Sequence, residues 1–316
     1  MENNMALVPV SDEWASLAAA ARDTLAQVGP GSRRQYTHDL KAFALWMDSH
    51  GLVPGALTRS QMIEYQRHLL EDPRANGKRY ARATAARMIA SVRSTLKEWS
   101  LATGRANPAT GLRPIRLANE STHVALSKPR ARQLLHTIDR STLIGKRDYA
   151  LVLLLVRTGI RRAEAAALTV GDLRQMDGHR VAIIQHGKED KRRIVKLLPD
   201  VFRAIQAYME AAYRLEARPE EPLFVQVRRG GHVTREGLGT KAIERIVKAL
   251  ALAINEESLT PHGLRATYIT LTLESGAPLQ KVQYSAGHAK PDTTLRYDKA
   301  KQNLDHNAAD YLHDLA

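Results

Sequence analysis

The sequence contains no cysteine among its 316 residues. This absence excludes disulfide scaffolds, thiolate metal sites and cysteine nucleophiles. Long apolar runs are missing too: no stretch of signal-peptide length stands at the N-terminus, and the longest strongly apolar stretch, Tyr149–Val156, is too short to span a bilayer. The sequence therefore predicts a soluble, cytoplasmic protein that has no membrane partner.

Acidic side chains are scarce relative to basic ones. The 33 Asp and Glu residues stand against 47 Lys and Arg residues, which gives a formal net charge of +14. Such an excess favours a polyanionic partner, with nucleic acid first and an anionic membrane surface second. The length fits one large domain or two of ordinary size, and the apolar content of 44% is normal for a globular protein.

The N-terminal third of the chain is predicted to be helical. Residues 1–10 are interpreted as a loose leader, and apolar residues then recur at helical spacing. Capping-box patterns predict where two of the helices begin: Ser32 with Gln35 for the second helix, and Thr58 with Gln61 for the third.

A fourth helix is predicted from about Arg79 to Thr103, with Gly104 as its stop. Between residues 73 and 116 there are ten Lys or Arg residues and one acidic residue. A solvated basic face is the simpler interpretation, but this imbalance favours a surface that follows a phosphate backbone. The predicted core stripe consists of Ala85, Ile89, Val92, Leu96 and Trp99. The basic residues predicted to lie beside it, and to bind DNA, are Arg79, Arg82, Arg93 and Lys97.

Residues 105–124 are rich in turn-forming residues and are predicted to link a first domain, 11–104, to a second, 125–316. In the second domain, β-rich runs at 180–185 and 192–197 flank turn residues and predict a hairpin. The rest of this domain is predicted to be helical, so that it contains one small sheet.

The stretch after residue 259 predicts a helix with an anion-binding start. Thr260 is a good N-cap, and Pro261 suits the first helical position. His262 and Arg265 would then share one face within the first turns, where free N–H groups and the helix dipole favour anions. An imidazole beside a guanidinium at this place suits a phosphate.

Four separated motifs carry the chemistry of the chain. They are TGIRRAE with Arg161 and Glu164, the hairpin turn with Lys188, HGLR with His262 and Arg265, and GHAKPDTTLRY with His288 and Tyr297. In this order and spacing they resemble the tyrosine site-specific recombinases, the phage integrase family, and the resemblance extends over essentially the whole chain. The lack of an added N-terminal arm-binding region favours an Xer-like, transposon or plasmid type.

The resemblance implies a fold that is mainly α with a small antiparallel β-sheet in the catalytic domain. The first domain would be a helical, SAM-like core-binding domain and the second the catalytic domain. Together they would clamp duplex DNA. The catalytic set that the resemblance implies is Arg161, Lys188, His262, Arg265, His288 and Tyr297, with Glu164 in support.

The resemblance also assigns the roles. Tyr297 is the nucleophile, which forms a 3′-phosphotyrosyl link and leaves a free 5′-hydroxyl. The two arginines neutralise the charge of the pentacoordinate phosphorus, so that neither a metal ion nor any other cofactor is required. Lys188 protonates the leaving 5′-oxygen, His262 accepts the phenolic proton, His288 donates a hydrogen bond to the phosphate, and Glu164 orients the arginines.

Several neighbouring residues could hold the same roles on composition alone, although the register of the motifs favours the set above. Tyr284 also stands where relatives carry an aliphatic residue, which leaves the packing behind His288 open. The rivals for the arginine role are Arg157 and Arg162. Those for the lysine role are Lys191, Arg192 and Arg193, and those for the tyrosine role are Tyr268, Tyr284 and Tyr311.

The implied function is site-specific recombination of double-stranded DNA through a Holliday junction, by a homo-tetramer on two sites, with or without accessory proteins. It would serve integration, excision or resolution, and the enzyme would be associated with the nucleoid when it acts. Two alternatives from other classes remain: a type IB topoisomerase-like enzyme that relaxes DNA, and a non-catalytic DNA-binding regulator.

Overall fold

The structure, a computed structural model, describes residues 12–117, 124–185, 192–228 and 230–297 of the chain. The chain divides into two compact units, residues 1–118 (unit 1) and residues 119–316 (unit 2). The predicted leader at 1–10, Lys188 and Tyr311 lie outside the described residues.

The described part of unit 1 is built from four α-helices, with the fourth at its centre. They are α1 (Asp12–Gln27), α2 (Pro30–Ser49), α3 (Arg59–Glu71) and α4 (Arg82–Thr103). The apolar stripe predicted for α4 is confirmed, because all five of its residues are buried. This stripe packs against α1, α2 and α3, so α4 is the central helix of the unit.

The helix ends of unit 1 follow the predicted signals in part. The capping box of α3 is confirmed: Gln61 N donates to Thr58 Oγ1 at 3.4 Å, and Thr58 N donates to Gln61 Oε1 at 2.8 Å. The capping box predicted at Ser32 is wrong. Helix α2 begins at Pro30, because proline lacks an N–H and fits the first helical turn at no cost in hydrogen bonds. Ser32 therefore lies inside the helix.

The predicted start of the fourth helix is also wrong. Helix α4 begins at Arg82, with Ala81 in an extended N-cap conformation, so Arg79 precedes the helix and does not lie on its face. Its predicted end is confirmed, because Gly104 takes the left-handed conformation at φ +70°. Beyond it, Ala109, Leu112 and Ile115 are buried in the core of unit 1.

Unit 2 contains the remaining helices and all the strands among the described residues. Its helices are α5 (Lys128–His136), α6 (Leu143–Thr158), α7 (Arg162–Ala167), α8 (Pro199–Ala211), α9 (Thr240–Ala253), α10 (Pro261–Glu274), α11 (Leu279–Ala286) and α12 (Pro291–Leu295). Helix α6 is buried along its second half and packs against α8 and α10. It is therefore the central helix of this unit.

Two small antiparallel sheets complete the described part of unit 2. The strands are β1 (Leu173–Met176), β2 (His179–Ile184), β3 (Arg193–Lys196), β4 (Val225–Val227) and β5 (Val233–Gly237). The predicted hairpin is confirmed as β2 paired with β3, while β1 adds a third strand and β4 pairs with β5 in a second sheet. The mainly α fold with a small antiparallel sheet is thus confirmed, and the structure contains a second small sheet in addition to the predicted one.

None of the helices in the described residues has the length and hydrophobicity that crossing a bilayer requires.

Candidate active site

The start of α10 forms one wall of a cleft in unit 2. Thr260 is the N-cap, and its Oγ1 accepts a hydrogen bond from Gly263 N at 3.1 Å. Pro261 occupies the first turn, as the sequence predicts. The cleft is lined by Arg161, Arg162, Ala163, Glu244, Thr260, Pro261, His262 and Arg265. The structure thus brings together residues of two predicted motifs that are far apart in the chain.

Arg265 is buried at the base of this site, with 2% of its surface exposed. Its Nη1 donates to Gly159 O at 2.6 Å, and its Nη2 has no hydrogen-bond partner among the described residues. Gly159 is required here, because a Cβ at this residue would lie 2.2 Å from the ring of Tyr268. Burial, followed by the nearby charge of Arg161, lowers the pKa of Arg265 to about 10. A buried cation with one unused donor is well suited to an anionic ligand.

Arg161 is fixed by hydrogen bonds on two sides. Its Nη1 donates to Glu164 Oε1 at 2.8 Å, its Nη2 donates to Gly287 O at 2.7 Å, and its backbone N donates to Glu164 Oε2 at 2.6 Å. Glu164 is buried, with 4% of its surface exposed. Burial alone would raise the pKa of Glu164, but hydrogen bonds from Arg193 and Arg161 outweigh it and lower the pKa to about 2. The carboxylate is therefore charged and holds Arg161 in place.

Arg193 also contacts this carboxylate, and the sequence interpretation gave it no role of its own. Its Nη1 and Nη2 donate to the two oxygens of Glu164 at 2.9 and 2.7 Å. The available signal is strand alternation: in β3, Arg193 and Val195 are buried while Ile194 and Lys196 are exposed. An arginine at an inward-facing strand position needs a buried acceptor, and Glu164 is that acceptor.

The predicted nucleophile lies beside the predicted base. His262 Nε2 is 3.2 Å from Tyr297 Oη. Tyr297 also stacks on His288, with ring centroids 6.2 Å apart and an interplanar angle of 16°. His288 Nδ1 lies 2.8 Å from Thr294 Oγ1. Burial, then the nearby Arg265 and Arg161, lower the pKa of His288 to about 3. His288 is therefore a neutral imidazole near pH 7.

The rivals for the arginine and tyrosine roles form contacts of their own, although Arg162 also lines the cleft. Arg162 forms an ion pair with Glu244, and Arg157 forms one with Asp200 at 2.9 Å. Among the tyrosines, Tyr268 is half-buried and its hydroxyl lies 2.8 Å from Ser285 Oγ, whereas Tyr284 is 62% exposed. In the described part of the chain, Tyr297 is thus the tyrosine whose hydroxyl meets His262.

The predicted DNA-binding residues in unit 1 differ in their surroundings. Arg93 and Lys97 line one surface cleft together with residues of the turn at 107–111. Arg79 and Arg82 are exposed and do not line that cleft. A fifth cation of this region, Arg87, forms an ion pair with the buried Asp39. Helix α4 thus carries Arg82, Arg93 and Lys97, whereas Arg79 precedes it.

Within the ranges that the structure describes, no group of three His, Cys, Asp or Glu residues is placed to hold a metal ion.

Comparison with known proteins points to one family. The model of the phage integrase family matches residues 125–303. A tyrosine recombinase of Synechococcus elongatus is 30% identical over 316 residues, which is 97% of this chain and 95% of that protein. The tyrosine recombinase XerD of Listeria monocytogenes is 32% identical over 270 residues, 84% of this chain and 86% of that protein.

The fold is shared with solved structures. An integrase of transposon Tn1549, in complex with a circular intermediate DNA, superposes with a TM-score of 0.69. The superposition covers 96% of this chain and 98% of the integrase chain, at 19% sequence identity. A dimer of lambda integrase bound to a core site gives a TM-score of 0.65 over 92% of this chain and 96% of that chain, at 15% identity.

Proposed function

This chain belongs to the phage integrase family and is a site-specific tyrosine recombinase, and we propose that unit 2 cleaves and rejoins double-stranded DNA through Tyr297. The observation that carries this proposal is the 3.2 Å approach of His262 Nε2 to Tyr297 Oη, in the site where Arg161 and Arg265 also lie. Guanidinium groups match the oxygens of a phosphodiester in both charge and geometry.

The proposed reaction is a transesterification. A bond forms between Tyr297 Oη and phosphorus while the bond from phosphorus to the 5′-oxygen breaks. His262 takes the phenolic proton, and Lys188 gives a proton to the 5′-oxygen. The products are a 3′-phosphotyrosyl link and a free 5′-hydroxyl. Because the number of phosphoester bonds is unchanged, the reverse reaction with a new 5′-hydroxyl rejoins the strand without an energy source.

The arginines and His288 stabilise the charge that develops on the non-bridging oxygens. Nη2 of Arg265 is buried and unpaired among the described residues, so it gives up no protein hydrogen bond when it meets the phosphate. A neutral His288 donates a hydrogen bond to phosphate without adding a further buried charge next to Arg265. Donors that are already in place need no reorganisation when the charge develops, which is the main source of their effect on rate.

In this proposal residues 11–104 form the core-binding domain and residues 125–316 the catalytic domain, and both contact DNA. Four copies of the chain act on two recombining sites in the cytoplasm, and strands exchange through a Holliday junction. The family membership supports this assembly, and the net charge of +14 supports the contact with DNA.

The first test is formation of the covalent adduct. We expect the protein to remain attached to a nicked suicide substrate on a denaturing gel, in the presence of excess EDTA. Tyr297→Phe should bind the DNA and form no adduct, because only the nucleophilic oxygen is removed. The matched control is Tyr284→Phe, which alters an exposed tyrosine and should form the adduct as wild type does. An adduct with Tyr297→Phe would refute the assignment of the nucleophile.

The second test separates recombination from relaxation of DNA. A substrate that carries two sites should yield exchanged products, whereas a topoisomerase-like enzyme would change only the linking number. Relaxation without exchange, at protein concentrations that saturate both sites, would contradict the four-copy assembly.

A further inference from the structure

We propose that Arg193 is a positioning residue for cleavage, which acts through Glu164 to hold Arg161 and the segment that leads to His288. The proposal rests on the function proposed above, because it concerns the same site. Arg193 is buried, with 5% of its surface exposed, and it does not line the cleft. Its effect on the phosphate would therefore be indirect.

The first step of the argument is the geometry at Glu164. This one carboxylate accepts hydrogen bonds from Nη1 and Nη2 of Arg193 and from the backbone N and Nη1 of Arg161. Its two oxygens therefore serve two guanidinium groups at once. If Arg193 were removed, Glu164 would be free to rotate toward Arg161 alone, and the guanidinium of Arg161 would lose its defined orientation.

The second step is the contact with the end of α11. Arg193 Nε donates to Ser285 O at 3.2 Å, while Arg161 Nη2 donates to Gly287 O at 2.7 Å. Both arginines thus bind carbonyl groups at the C-terminal end of one helix, where the helix dipole favours cations. His288 follows directly in the chain. The Arg193 side chain therefore connects β3, α7 and the end of α11.

The third step is the close packing at Gly287. Its φ is +67°, and a Cβ at this residue would lie 2.9 Å from Cζ of Arg193. The backbone before His288 therefore packs directly on the Arg193 guanidinium. A shorter or differently shaped side chain at 193 would leave that backbone without its support.

Another buried arginine of unit 2 shows what a purely structural role looks like. Arg214 has 8% of its surface exposed, donates to Leu223 O and Pro222 O, and pairs with Glu221 at 3.4 Å. Among the described residues, none of these partners contacts a proposed catalytic residue. Arg193 differs because its carboxylate partner is also the partner of Arg161.

The experiment compares Arg193→Lys with Arg214→Lys. Lysine keeps the positive charge but cannot bind both oxygens of Glu164 and Ser285 O at once. We measure single-turnover adduct formation at saturating protein, the dissociation constant for site DNA, and the midpoint of thermal unfolding. Arg193→Lys should form the adduct on the order of 10- to 100-fold more slowly, with unchanged DNA affinity, because small misplacements of a reacting group have effects of this size. Arg214→Lys should form it at the wild-type rate, whatever its midpoint.

A double-mutant cycle with Glu164→Gln tests the route of the effect. If Arg193 acts through Glu164, the double variant should be no slower than the slower of the two single variants. A 5′-bridging phosphorothiolate should not restore the rate of Arg193→Lys, because the defect lies in charge stabilisation. If Arg193→Lys does not fold, Arg193→Gln, which keeps a donor for Glu164, takes its place.

Three results would overturn the inference: a wild-type rate for Arg193→Lys, equal slowing of Arg193→Lys and Arg214→Lys, or rate factors that multiply in the double variant. Failure of the proposed function looks different, because the wild-type protein itself would then form no adduct.

Discussion

The two units place positive charge in opposite ways. In unit 2, Arg161, Arg193 and Arg265 are held by a buried carboxylate and by backbone carbonyl groups, and Arg193 and Arg265 are buried. In unit 1, Arg82 and Lys97 are exposed on the surface. Fixed, buried donors act on particular atoms of a reacting group, whereas exposed cations attract a phosphate backbone in a diffuse and salt-dependent way.

Unit 1 contains its own exception, and it supports the same distinction. Arg87 lies in α4 among the exposed cations, but it is partly buried and forms an ion pair with Asp39, which is 0% exposed. Ser91 Oγ donates to the same carboxylate at 3.2 Å. This pair joins α2 to α4. A cation with a buried partner has a defined position, and the comparison predicts that substitutions in the two groups affect different quantities: reaction rate in unit 2 and DNA affinity in unit 1.

The largest effect on the cleavage rate is expected at Lys188 in unit 2. The comparison with Arg265 distinguishes a role in proton transfer from a role in charge stabilisation. Lys188→Ala should slow cleavage by about 10²–10⁴-fold, because an alkoxide leaving group requires a proton. A 5′-bridging phosphorothiolate leaves as a thiolate without that proton, so it should restore much of the rate of Lys188→Ala. Arg265→Ala should not be restored to the same extent. The measurement is single-turnover cleavage of both substrates by both variants.

Two outcomes would contradict this division of roles. If Lys188→Ala stays equally slow on both substrates, the proton comes from another group. If both variants are restored alike, the sulfur substrate is simply more reactive.

The next effect concerns the buried guanidinium itself. Arg265→Lys should reduce the single-turnover rate by about 10²–10³-fold, the range found when one preorganised donor is removed. A single ammonium cannot donate to Gly159 O and also reach the phosphate from the position of Nη2. The matched control is Arg147→Lys, which changes another buried arginine of unit 2, one that donates to Val225 O at 3.3 Å. Equal rates for the two variants would show that Arg265 has only a structural role.

Substitution of the surface cations of unit 1, of which Arg93 is half-buried and the others exposed, should change DNA affinity without changing the rate at saturation. Replacing Arg93 and Lys97 by Ala should reduce the slope of log K against log salt by ~0.9 for each phosphate that the variant no longer neutralises. Arg79 and Arg82 are replaced as a second pair, because they do not line the same cleft. The control is Lys41→Ala, on the exposed side of α2. An unchanged slope for either pair would mean that its side chains are only solvated.

The sequence predicted the start of α10 because the signals for a helix start are short and local. Thr260 and Pro261 fix the start of α10, and this start places His262 and Arg265 in the site. The order of the motifs indicated the family, which the comparisons confirm. No local pattern showed which residues would pair across the fold. The Arg193–Glu164 pair spans 29 positions in the chain, and the contact of Arg161 with Gly287 O spans 126.

The errors in secondary structure have similarly local causes. Strand β1 is short and its last three residues are exposed, so its sequence lacks the apolar alternation that indicates a strand. Strand β5 is also largely polar, and its pairing with β4 contains a register irregularity. At α2, the capping-box pattern placed the start at Ser32, two residues after Pro30. The structure uses the proline, and no side-chain cap is formed.

The smallest effect should appear in the dependence of folding stability on pH. This dependence should differ between unit 1 and unit 2. The folded pKa of His288 is lowered to about 3 from its ordinary value of 6.5. Between these values the unfolded chain binds a proton that the folded chain does not, so stability should fall as pH falls from 6.5 toward 3. His288→Gln removes the imidazole that binds this proton, so stability should decrease less steeply as the pH falls. Calorimetry of both proteins across this range measures the difference.

Tryptophan fluorescence provides an internal control for that experiment. All three tryptophans, Trp14, Trp46 and Trp99, lie in unit 1, so their signal reports on unit 1 while far-UV circular dichroism reports on both units. We expect His288→Gln to change the acid dependence of the circular dichroism transition more than that of the fluorescence transition. Glu164→Gln should act at lower pH, because the folded pKa of Glu164 is about 2 and its stabilising charge is lost below its ordinary value of 4.5. If wild type and His288→Gln lose stability in parallel between pH 6.5 and 3, His288 is not held neutral by burial and the nearby arginines, and the contrast between buried and exposed cations does not extend to stability.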